Sequence, residues 1–445
     1  MLARLLTPFD FGIYGLGGSI VGIKERFADI GAGNFLVYHP REIDEHADTT
    51  FWVNLGLSSL LLTMLAIGAP FLARFYRERL LTPVLVLLGL GVWARVNASI
   101  HQSLLRADSR FRALAIIDNC SSAAWLGVAV ALAWKGFGVW ALVGSAVAGN
   151  AVFAASVVVT QGWRPRWRVS KVSLRVLSGF SFWYLGQGIA WYLAGNLDNL
   201  LVGRYLGMSV LGIYALAFNY ALLPATIVGN AVGNVAYAEL PKLYDRPEAF
   251  WSAYLDFSRV MALLGCFTAL AAIVAAPDLI PLVLGPKWQP AVVPFQILSV
   301  YAAVKCVWLD PFPSLGNFRL SCLTGIFGVV VVGGSVAVGL RFGLGGVAIA
   351  MLGTQAAYQA AGLYIVSRSW HRVRSALRLS IPFLLGGALA AVLGLVVWHV
   401  VPSGSPAAGL PRALLALAVS VCAYCLLFLR DLRTTLRLVL NRRPA

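Results

Sequence analysis

Charged side chains inside long apolar stretches are the residues of this sequence best suited to chemistry. Arg95 lies in the middle of the apolar stretch 81–105, and Lys305 lies at a comparable place in the stretch 290–312. A charge at the centre of a bilayer costs about 3 kcal/mol or more unless it faces protein or water, so such residues mark substrate or ion pathways. We therefore expect both cations to face a water-filled cavity. The alternative is that each pairs with a carboxylate on a neighbouring helix and supports packing.

A second charged group lies on the first apolar stretch. Glu25, Arg26 and Asp29 fall within about 100° of one helical face, at about 100° per residue. Arg26 and Asp29 are spaced i,i+3 and could instead form a neutral pair that holds helices together. The same choice applies to Asp256 and Arg259. Arg26 and Arg259 complete, with Arg95 and Lys305, the candidate substrate-binding cations.

Two carboxylates stand apart from these groups. Asp118 and Asp198 are lone acidic residues within apolar stretches. Intramembrane carboxylates relay protons in many transporters, and a capped or arginine-paired structural carboxylate is the alternative. We group them with Glu25 and Asp29 as coupling or structural carboxylates.

Other reactive residue types form no site in the sequence. The loop His39-x-x-Glu42-x-Asp44-Glu45-His46 has metal-ligand residue types but no spacing that fixes their geometry, and Cys422-x-x-Cys425 lies in an apolar stretch without a redox context. The motifs GxxxxGK[ST], GxSxG and HExxH do not occur. We predict no catalytic residues, no metal and no cofactor, and hence a protein that is not an enzyme.

The composition indicates a membrane protein. Apolar residues make up 59% of the 445 residues and charged residues only 12%, whereas soluble domains carry about 25% charged residues. The net charge of +17 would suggest nucleic acid as a partner of a soluble protein. In a membrane protein it follows from basic cytoplasmic loops, so no nucleic-acid partner is expected.

Hydropathy predicts an all-α integral membrane protein with about thirteen transmembrane helices. The predicted spans are 9–36, 50–73, 81–105, 113–134, 138–161, 177–201, 209–236, 252–275, 290–312, 320–340, 344–367, 379–401 and 410–429. Alternate connections between them carry very different numbers of lysine and arginine residues, and one set has more than twice as many as the other. The richer set, which includes the tail after Arg430, is predicted to be cytoplasmic.

The chain also repeats itself. Arg4, Leu6 and Gly12-Ile13-Tyr14 recur 200 residues later as Arg204, Leu206 and Gly212-Ile213-Tyr214. The repeat predicts two like halves, a transporter pattern. They are an N-terminal lobe of five helices (1–170) and a C-terminal lobe of six (176–370). Two additional helices (378–430) and a basic cytoplasmic tail (431–445) follow. The counterpart of the span 177–201 would fall before residue 1, so the first helix of the first half is expected to be missing.

A basic aromatic segment separates the two halves on the predicted cytoplasmic side. It reads Trp163-Arg164-Pro165-Arg166-Trp167-Arg168. Tryptophan and arginine are typical of anchors at the membrane–water interface. Contact with an anionic lipid head group is the other interpretation.

Several motifs in this order resemble one known family. They are Leu6-Thr7-Pro8-x-Asp10-Phe11-Gly12; Thr50-Phe51-Trp52-x-Asn54; Leu104-Leu105-Arg106 with Arg110-Phe111; Gly136-x-Gly138-x-Trp140-Ala141-Leu142-Val143; Trp163-Arg164-Pro165-Arg166; and Asn196-x-Asp198 with Gly203-Arg204-x-Leu206-Gly207. The sequence resembles Wzx-type oligosaccharide flippases of the multidrug/oligosaccharidyl-lipid/polysaccharide exporter superfamily, most strongly over residues 5–225. The cluster Lys24-Glu25-Arg26 departs from the family, where mostly apolar residues are expected.

The resemblance implies a fold and a function. The fold would have about fourteen helices in two pseudo-symmetric lobes around a central cavity. The function would be alternating-access transport of undecaprenyl-pyrophosphate-linked oligosaccharide across the bacterial inner membrane, for exopolysaccharide, O-antigen or capsule. The implied partners are this lipid-linked oligosaccharide, membrane lipids, and a polysaccharide polymerase with chain-length or export proteins.

Two other functions stay open at the level of sequence. One is export of small molecules or drugs by a member of the same superfamily, for which a carboxylate-lined cavity would suit cationic drugs better than Arg95 and Lys305. The other is a membrane assembly partner that transports nothing, which the missing first helix keeps open.

Overall fold

Long apolar helices form nearly all of the described structure. The computed structural model describes residues 2–28, 43–167, 170–243, 246–306, 318–370 and 409–428, together with 386, 389, 390, 392, 393 and 396. In chain order the helices are α1 (Leu2–Leu5), α2 (Pro8–Ala28), α3 (Ile43–Tyr76), α4 (Leu81–Ala107), α5 (Phe111–Trp134), α6 (Val139–Gln161), α7 (Lys171–Tyr205), α8 (Met208–Glu239), α9 (Pro247–Leu284), α10 (Val292–Cys306), α11 (Phe318–Gly339), α12 (Gly343–Trp370) and α13 (Gly409–Leu427). Short 3-10 turns at Leu240–Leu243, Pro286–Ala291 and Leu340–Phe342 join some of them.

Seven segments of the described helices are long and apolar enough to cross a bilayer. They are Ala47–Tyr76, Leu81–Ala107, Phe111–Trp134, Val139–Gln161, Met208–Asn230, Glu248–Leu284 and Ser321–Ala361. Large apolar side chains point outward from them, with Ile67 66% and Val159 81% exposed. A protein in water would bury such side chains, whereas in a bilayer they contact lipid. The chain is therefore an all-helical, multi-pass membrane protein.

The chain divides into two compact units. The first comprises Met1–Ala215 with Phe318–Gly333, and the second comprises Leu216–Asn317 with Gly334–Ala445. In the first unit, α4, α5 and α6 pack around Leu105, Leu114 and Phe153. In the second, α9 packs against α13 through a buried cluster that includes Leu263 and Tyr424, and the Tyr424 hydroxyl donates to the Leu263 carbonyl at 3.0 Å.

Small residues allow helices in the first unit to approach closely. A methyl group added at Gly325 of α11 would lie 2.9 Å from the Ala190 Cβ of α7, and one at Gly333 would lie 3.2 Å from the Leu197 side chain. Membrane helices associate through such small-residue contacts, because lipid leaves no hydrophobic force to drive them together. These contacts hold α11 along α7.

Candidate functional site

The first family motif starts a helix at the predicted outer face. Thr7 and Asp10 form a capping box, in which the Thr7 amide donates to Asp10 Oδ2 at 2.8 Å and the Asp10 amide donates to Thr7 Oγ1 at 3.3 Å. Pro8 takes the first helical position, where its missing N–H costs nothing. These residues of the motif therefore fix where α2 begins.

The end of this motif meets its own repeat. A methyl group at Gly12 would lie 1.8 Å from the Met208 carbonyl oxygen, and one at Gly212 would lie 1.7 Å from the Pro8 carbonyl oxygen. Each contact becomes the other when the positions are shifted by the repeat offset of 200 residues. A local two-fold symmetry thus relates α2 to the start of α8. At this contact the repeat in the sequence is also a repeat in the structure.

A glycine-rich turn packs beside the same helix start. Gly138 has φ +55°, and a methyl group there would lie 3.0 Å from Asp10 Oδ1. The following residues Ala141 and Leu142 are buried with Leu6. Two motifs more than 120 residues apart in the sequence thus form one structural cluster, and only glycine fits both the backbone conformation and the space at position 138.

A seam of polar side chains connects α2 with α7. The Tyr192 hydroxyl donates to the Ser19 carbonyl at 3.1 Å, and Asn199 Nδ2 donates to Ser19 Oγ at 3.3 Å. Ser19 Oγ in turn donates to Asn196 Oδ1 at 3.4 Å. Hydrogen bonds of this kind hold membrane helices together. Neither Ser19 nor Tyr192 was predicted as a site residue, because the only sign of either in the sequence is a hydroxyl group within an apolar stretch.

Asp198 lies on α7 between Asn196 and Asn199, two residues of this seam. It is fully buried, and Tyr214 of α8 donates to its Oδ2 at 2.6 Å. Asp198 Oδ1 has no hydrogen-bond partner in the described structure. Asp198 thus has one hydrogen-bonded and one unsatisfied carboxylate oxygen. Both the proton-relay and the structural interpretation of this side chain stay open.

Arg95 is held on an aromatic ring. Its guanidinium carbon lies 4.1 Å from the ring centroid of Phe153 on α6, and Arg95 itself is partly exposed. Cation–π contacts of this kind contribute about 0.5–2 kcal/mol. The ring covers one face of the guanidinium, which leaves the edge available for an anion. Among the described residues the contact seen for Arg95 is this aromatic one, and its role as a cavity-facing cation stays a prediction.

Polar groups of α3 and α4 lie close to Arg95. Asn54 Nδ2 donates to the Val96 carbonyl at 2.9 Å, Asn97 Nδ2 donates to Ser58 Oγ at 3.1 Å, and Trp93 Nε1 donates to Ser59 Oγ at 3.0 Å. These bonds involve residues within two positions of the cation on either side. The family motif that ends in Asn54 thus joins α3 to α4 at the level of Arg95.

The other predicted site residues lie in different places. Lys305 is exposed at the penultimate position of α10, and Arg259 is half-buried on α9. Asp118 is exposed on α5. Glu25 and Arg26 belong to the last two turns of α2, their side chains lie outside the described structure, and Asp29 lies outside the described residues. Arg95 belongs to the first unit and Lys305 to the second, and that both meet one anion stays a prediction.

The segment after α6 forms a strap against α3. We call residues 163–167 and Ser170 the cytoplasmic strap, after the side of the membrane on which they are predicted to lie. The Arg166 amide donates to Asp48 Oδ1 at 2.9 Å, and the Ser170 amide donates to Thr49 Oγ1 at 2.9 Å. Trp163 packs edge-on against Phe51, with ring centroids 6.0 Å apart. The ring of Trp163 thus packs against protein, and the interpretation of the segment as an interfacial anchor stays a prediction.

No metal centre occurs in the part of the chain that the structure describes. No three histidine, cysteine, aspartate or glutamate side chains come close enough there to hold a metal ion. The loop from His39 to His46, which has metal-ligand residue types, lies outside that part in its backbone up to residue 42 and in its side chains throughout.

Comparison with known proteins identifies a family and several related sequences. The family model described as polysaccharide biosynthesis protein matches residues 1–293. The lipopolysaccharide biosynthesis protein WzxC of Escherichia coli is 23% identical over 80% of this chain and 75% of its own length. The succinoglycan biosynthesis transport protein ExoT of Rhizobium meliloti is 26% identical over 68% of this chain. The match spans 61% of ExoT, which is less than two thirds of that protein.

Solved structures show the same fold. The lipid II flippase MurJ in its inward closed conformation superposes with a TM-score of 0.73 over 97% of this chain and 96% of MurJ, at 12% identity. An inward-facing multidrug resistance MATE transporter of the MOP superfamily gives a TM-score of 0.64 over 85% of this chain and 94% of the transporter, at 14% identity. With the motifs from Thr7 to Asp198 in place on this fold, the chain belongs to the polysaccharide biosynthesis protein family.

Proposed function

We propose that this protein is a flippase for undecaprenyl-pyrophosphate-linked oligosaccharide in the bacterial inner membrane. The observation that carries the proposal is Arg95, a cation near the middle of α4 that is partly exposed and stacked on Phe153. A pyrophosphate head group cannot cross hydrocarbon unaided, and an arginine with a free edge gives its oxygens a charge-assisted partner. Family membership supports a role in polysaccharide biosynthesis.

Lys305 and Arg259 are the further cations proposed for this anion path. Lys305 is exposed at the end of α10, and Arg259 is half-buried on α9. In the proposed fold, the lobes 1–170 and 176–370 enclose a central cavity, and the helices of 378–430 lie outside them. Arg95 and Lys305 would then approach the pyrophosphate from opposite lobes, while water surrounds the glycan.

Translocation itself is the direct test. The purified chain would be reconstituted in liposomes that contain a fluorescent polyprenyl-pyrophosphate oligosaccharide, and a membrane-impermeant reductant would report how much label reaches the outer leaflet. We expect fast translocation with the parent chain and a rate near that of empty liposomes without it. Equal rates in both preparations would contradict the flippase proposal. Accumulation of a cationic dye without movement of the lipid would favour drug export instead.

Alternating access can be tested at the contact between α2 and α8. The Cβ position of Gly15 lies 3.5 Å from the Cβ of Ala215, and disulfides join Cβ atoms about 3.5–4.5 Å apart. Gly15→Cys with Ala215→Cys should therefore form a disulfide. If the predicted outer ends of these helices must separate during transport, oxidation should stop translocation and a reductant should restore it.

The single variants Gly15→Cys and Ala215→Cys are the controls for this experiment, because they expose the native cysteines to the same oxidant. A fully cross-linked protein that transports at the parent rate would show that this contact stays closed throughout the cycle. Alternating access by separation of α2 and α8 would then be wrong, even if the protein is a flippase.

A further inference from the structure

The cytoplasmic strap is fixed to α3 by its backbone. Arg166 uses both of its main-chain groups, because its amide donates to Asp48 and its carbonyl accepts a hydrogen bond from Trp52 Nε1 at 2.8 Å. Asp48 is only 6% exposed, so this interaction is buried at the strap. Loops between helices usually bind their own turns or water. A strap held by buried side chains instead presents its own side chains in one orientation.

The strap has two tryptophans, of which Trp163 packs against protein and Trp167 is exposed. Trp163 faces Phe51 and His101, with ring centroids 6.0 and 5.3 Å away. Trp167 is 85% exposed and stacks on Trp52, with centroids 3.9 Å apart and an interplanar angle of 21°. An exposed indole that is held in place by a second indole forms a flat apolar platform with polar edges. Tryptophan of this kind is enriched at the lipid head-group level of membranes.

The cations of the strap lie next to this platform. Arg164 and Arg166 are both exposed, and the described part of the chain gives neither guanidinium a hydrogen bond or an ion pair. The neighbouring loop brings further positive charge, since Arg110 Nη1 donates to the Thr160 carbonyl at the end of α6. Two acids near the strap have described side chains, and both are engaged, because Asp48 binds the strap and Asp108 Oδ2 accepts from Gln161 Nε2 at 3.3 Å. The described side chains therefore give this surface two guanidinium groups that are available to bind an anion.

We propose that the strap is a binding site for an anionic phospholipid of the cytoplasmic leaflet. Arg164 and Arg166 bind the lipid phosphate, and Trp167 covers the glycerol and upper acyl chain on its platform. The site rests on the predicted orientation of the membrane spans and does not require the protein to be a flippase. Arginine suits this role because its planar guanidinium binds two phosphate oxygens at once.

A bulk phospholipid fits this site better than the lipid-linked cargo. The strap follows Gln161, where α6 and its span-length apolar segment end, so we expect it at the level of the lipid phosphates. Trp167 is 85% exposed, so its ring is accessible to lipid that surrounds the protein. Leaflet phospholipid is always present, whereas cargo is scarce.

The test is a lipid titration of the full chain purified in detergent. Native mass spectrometry would measure the binding of dioleoylphosphatidylglycerol to the parent and to the double variant Arg164→Gln with Arg166→Gln. We expect the double variant to lose its tightest phosphatidylglycerol site, with a dissociation constant raised about tenfold. Dioleoylphosphatidylcholine should bind both proteins equally and weakly. Trp167→Phe should keep most of the affinity, and Trp167→Ala should lower it severalfold.

Matched variants distinguish a specific phosphatidylglycerol site from a general effect of positive charge on lipid binding. Arg79→Gln with Arg341→Gln removes the same charge from two exposed arginines on the predicted outer side and should leave phosphatidylglycerol binding unchanged. Equal losses in both double variants would overturn the proposal, and so would parent-like binding in the strap variant. Displacement of phosphatidylglycerol from the strap by an equimolar polyprenyl pyrophosphate would also overturn it and make the strap a cargo site. Unchanged melting temperatures would confirm that the variants are folded.

Discussion

Arg95 combines a charge and an aromatic contact near the middle of a membrane-spanning helix. The stacked ring of Phe153 is only 1% exposed, so it cannot move away from the guanidinium without disturbing the packing of α4 on α6. The cation is therefore presented in a fixed direction before any substrate arrives. Binding an anion then costs little side-chain entropy.

Replacing Arg95 should impair transport more than stability. Arg95→Gln removes a charge-assisted hydrogen bond of roughly 1.5–3 kcal/mol to the proposed pyrophosphate, so we expect translocation to fall by about tenfold or more. Arg95→Lys keeps the charge but loses the planar stack and should be intermediate. The liposome assay measures the rates, and unfolding in detergent checks the fold. Parent-like transport by Arg95→Gln would remove this residue from the anion path.

Asp198 and Tyr214 make a separate prediction about stability. Tyr214→Phe leaves the buried carboxyl group without the one side-chain donor seen for it, because Asp198 Oδ1 is already unsatisfied. We expect a loss of about 1–3 kcal/mol in the free energy of unfolding. Tyr205→Phe is the matched control, since Tyr205 is 68% exposed. If unfolding measurements give equal stabilities for the two variants, the hydrogen bond contributes nothing to the fold.

At the scale of helices, close approach depends on single glycines. Gly12→Ala and Gly212→Ala would each place a methyl group within 2 Å of a carbonyl oxygen of the partner helix. Overpacking of this kind costs about 1–3 kcal/mol, and more when backbone has to move. Gly18→Ala on the same helix meets nothing within 4 Å and should be nearly neutral. Melting temperatures of the three variants compare them directly, and a Gly12→Ala protein as stable as Gly18→Ala would disprove the close contact.

The limits of two helices followed closely from hydropathy. The predicted spans 113–134 and 138–161 correspond to Phe111–Trp134 and Val139–Gln161, because glycine and charged residues interrupt the apolar runs there. The capping box of Thr7 and Asp10 was also readable, since its residue types and spacing are local. The contact between Arg95 and Phe153 was not, because it joins residues that are 58 positions apart and depends on how α4 packs against α6.

The strap is a second feature that could not be predicted from the sequence. Alternating tryptophan and arginine residues suggested an interfacial anchor, yet only Trp167 is exposed and Trp163 packs against Phe51. Composition alone gave both tryptophans the same role. The difference arises from the hydrogen bonds of Asp48 and Thr49, which lie more than 110 residues earlier in the chain.

At the scale of the whole molecule, the charge distribution predicts the topology. Basic residues are concentrated in one set of connections and in the tail after Arg430, so we expect the C-terminus to be cytoplasmic. Alkaline phosphatase fused after residue 435 should be inactive, because it folds only outside the cytoplasm. A fusion after Arg79 should be active and serves as the control. The opposite pattern of activities would invert the topology and place the cytoplasmic strap outside.

The contact between Gly12 and Gly212 also has an evolutionary consequence. Pro8 meets Gly212 in the same way that Met208 meets Gly12, which is the pattern of an isologous interface in a two-fold symmetric dimer. A protein with one copy of the repeat could have formed this crossing by pairing with a second copy of itself. Gene fusion would then have made the pairing intramolecular and freed each copy to diverge. Substitutions that are tolerated on only one side of the crossing would trace that divergence.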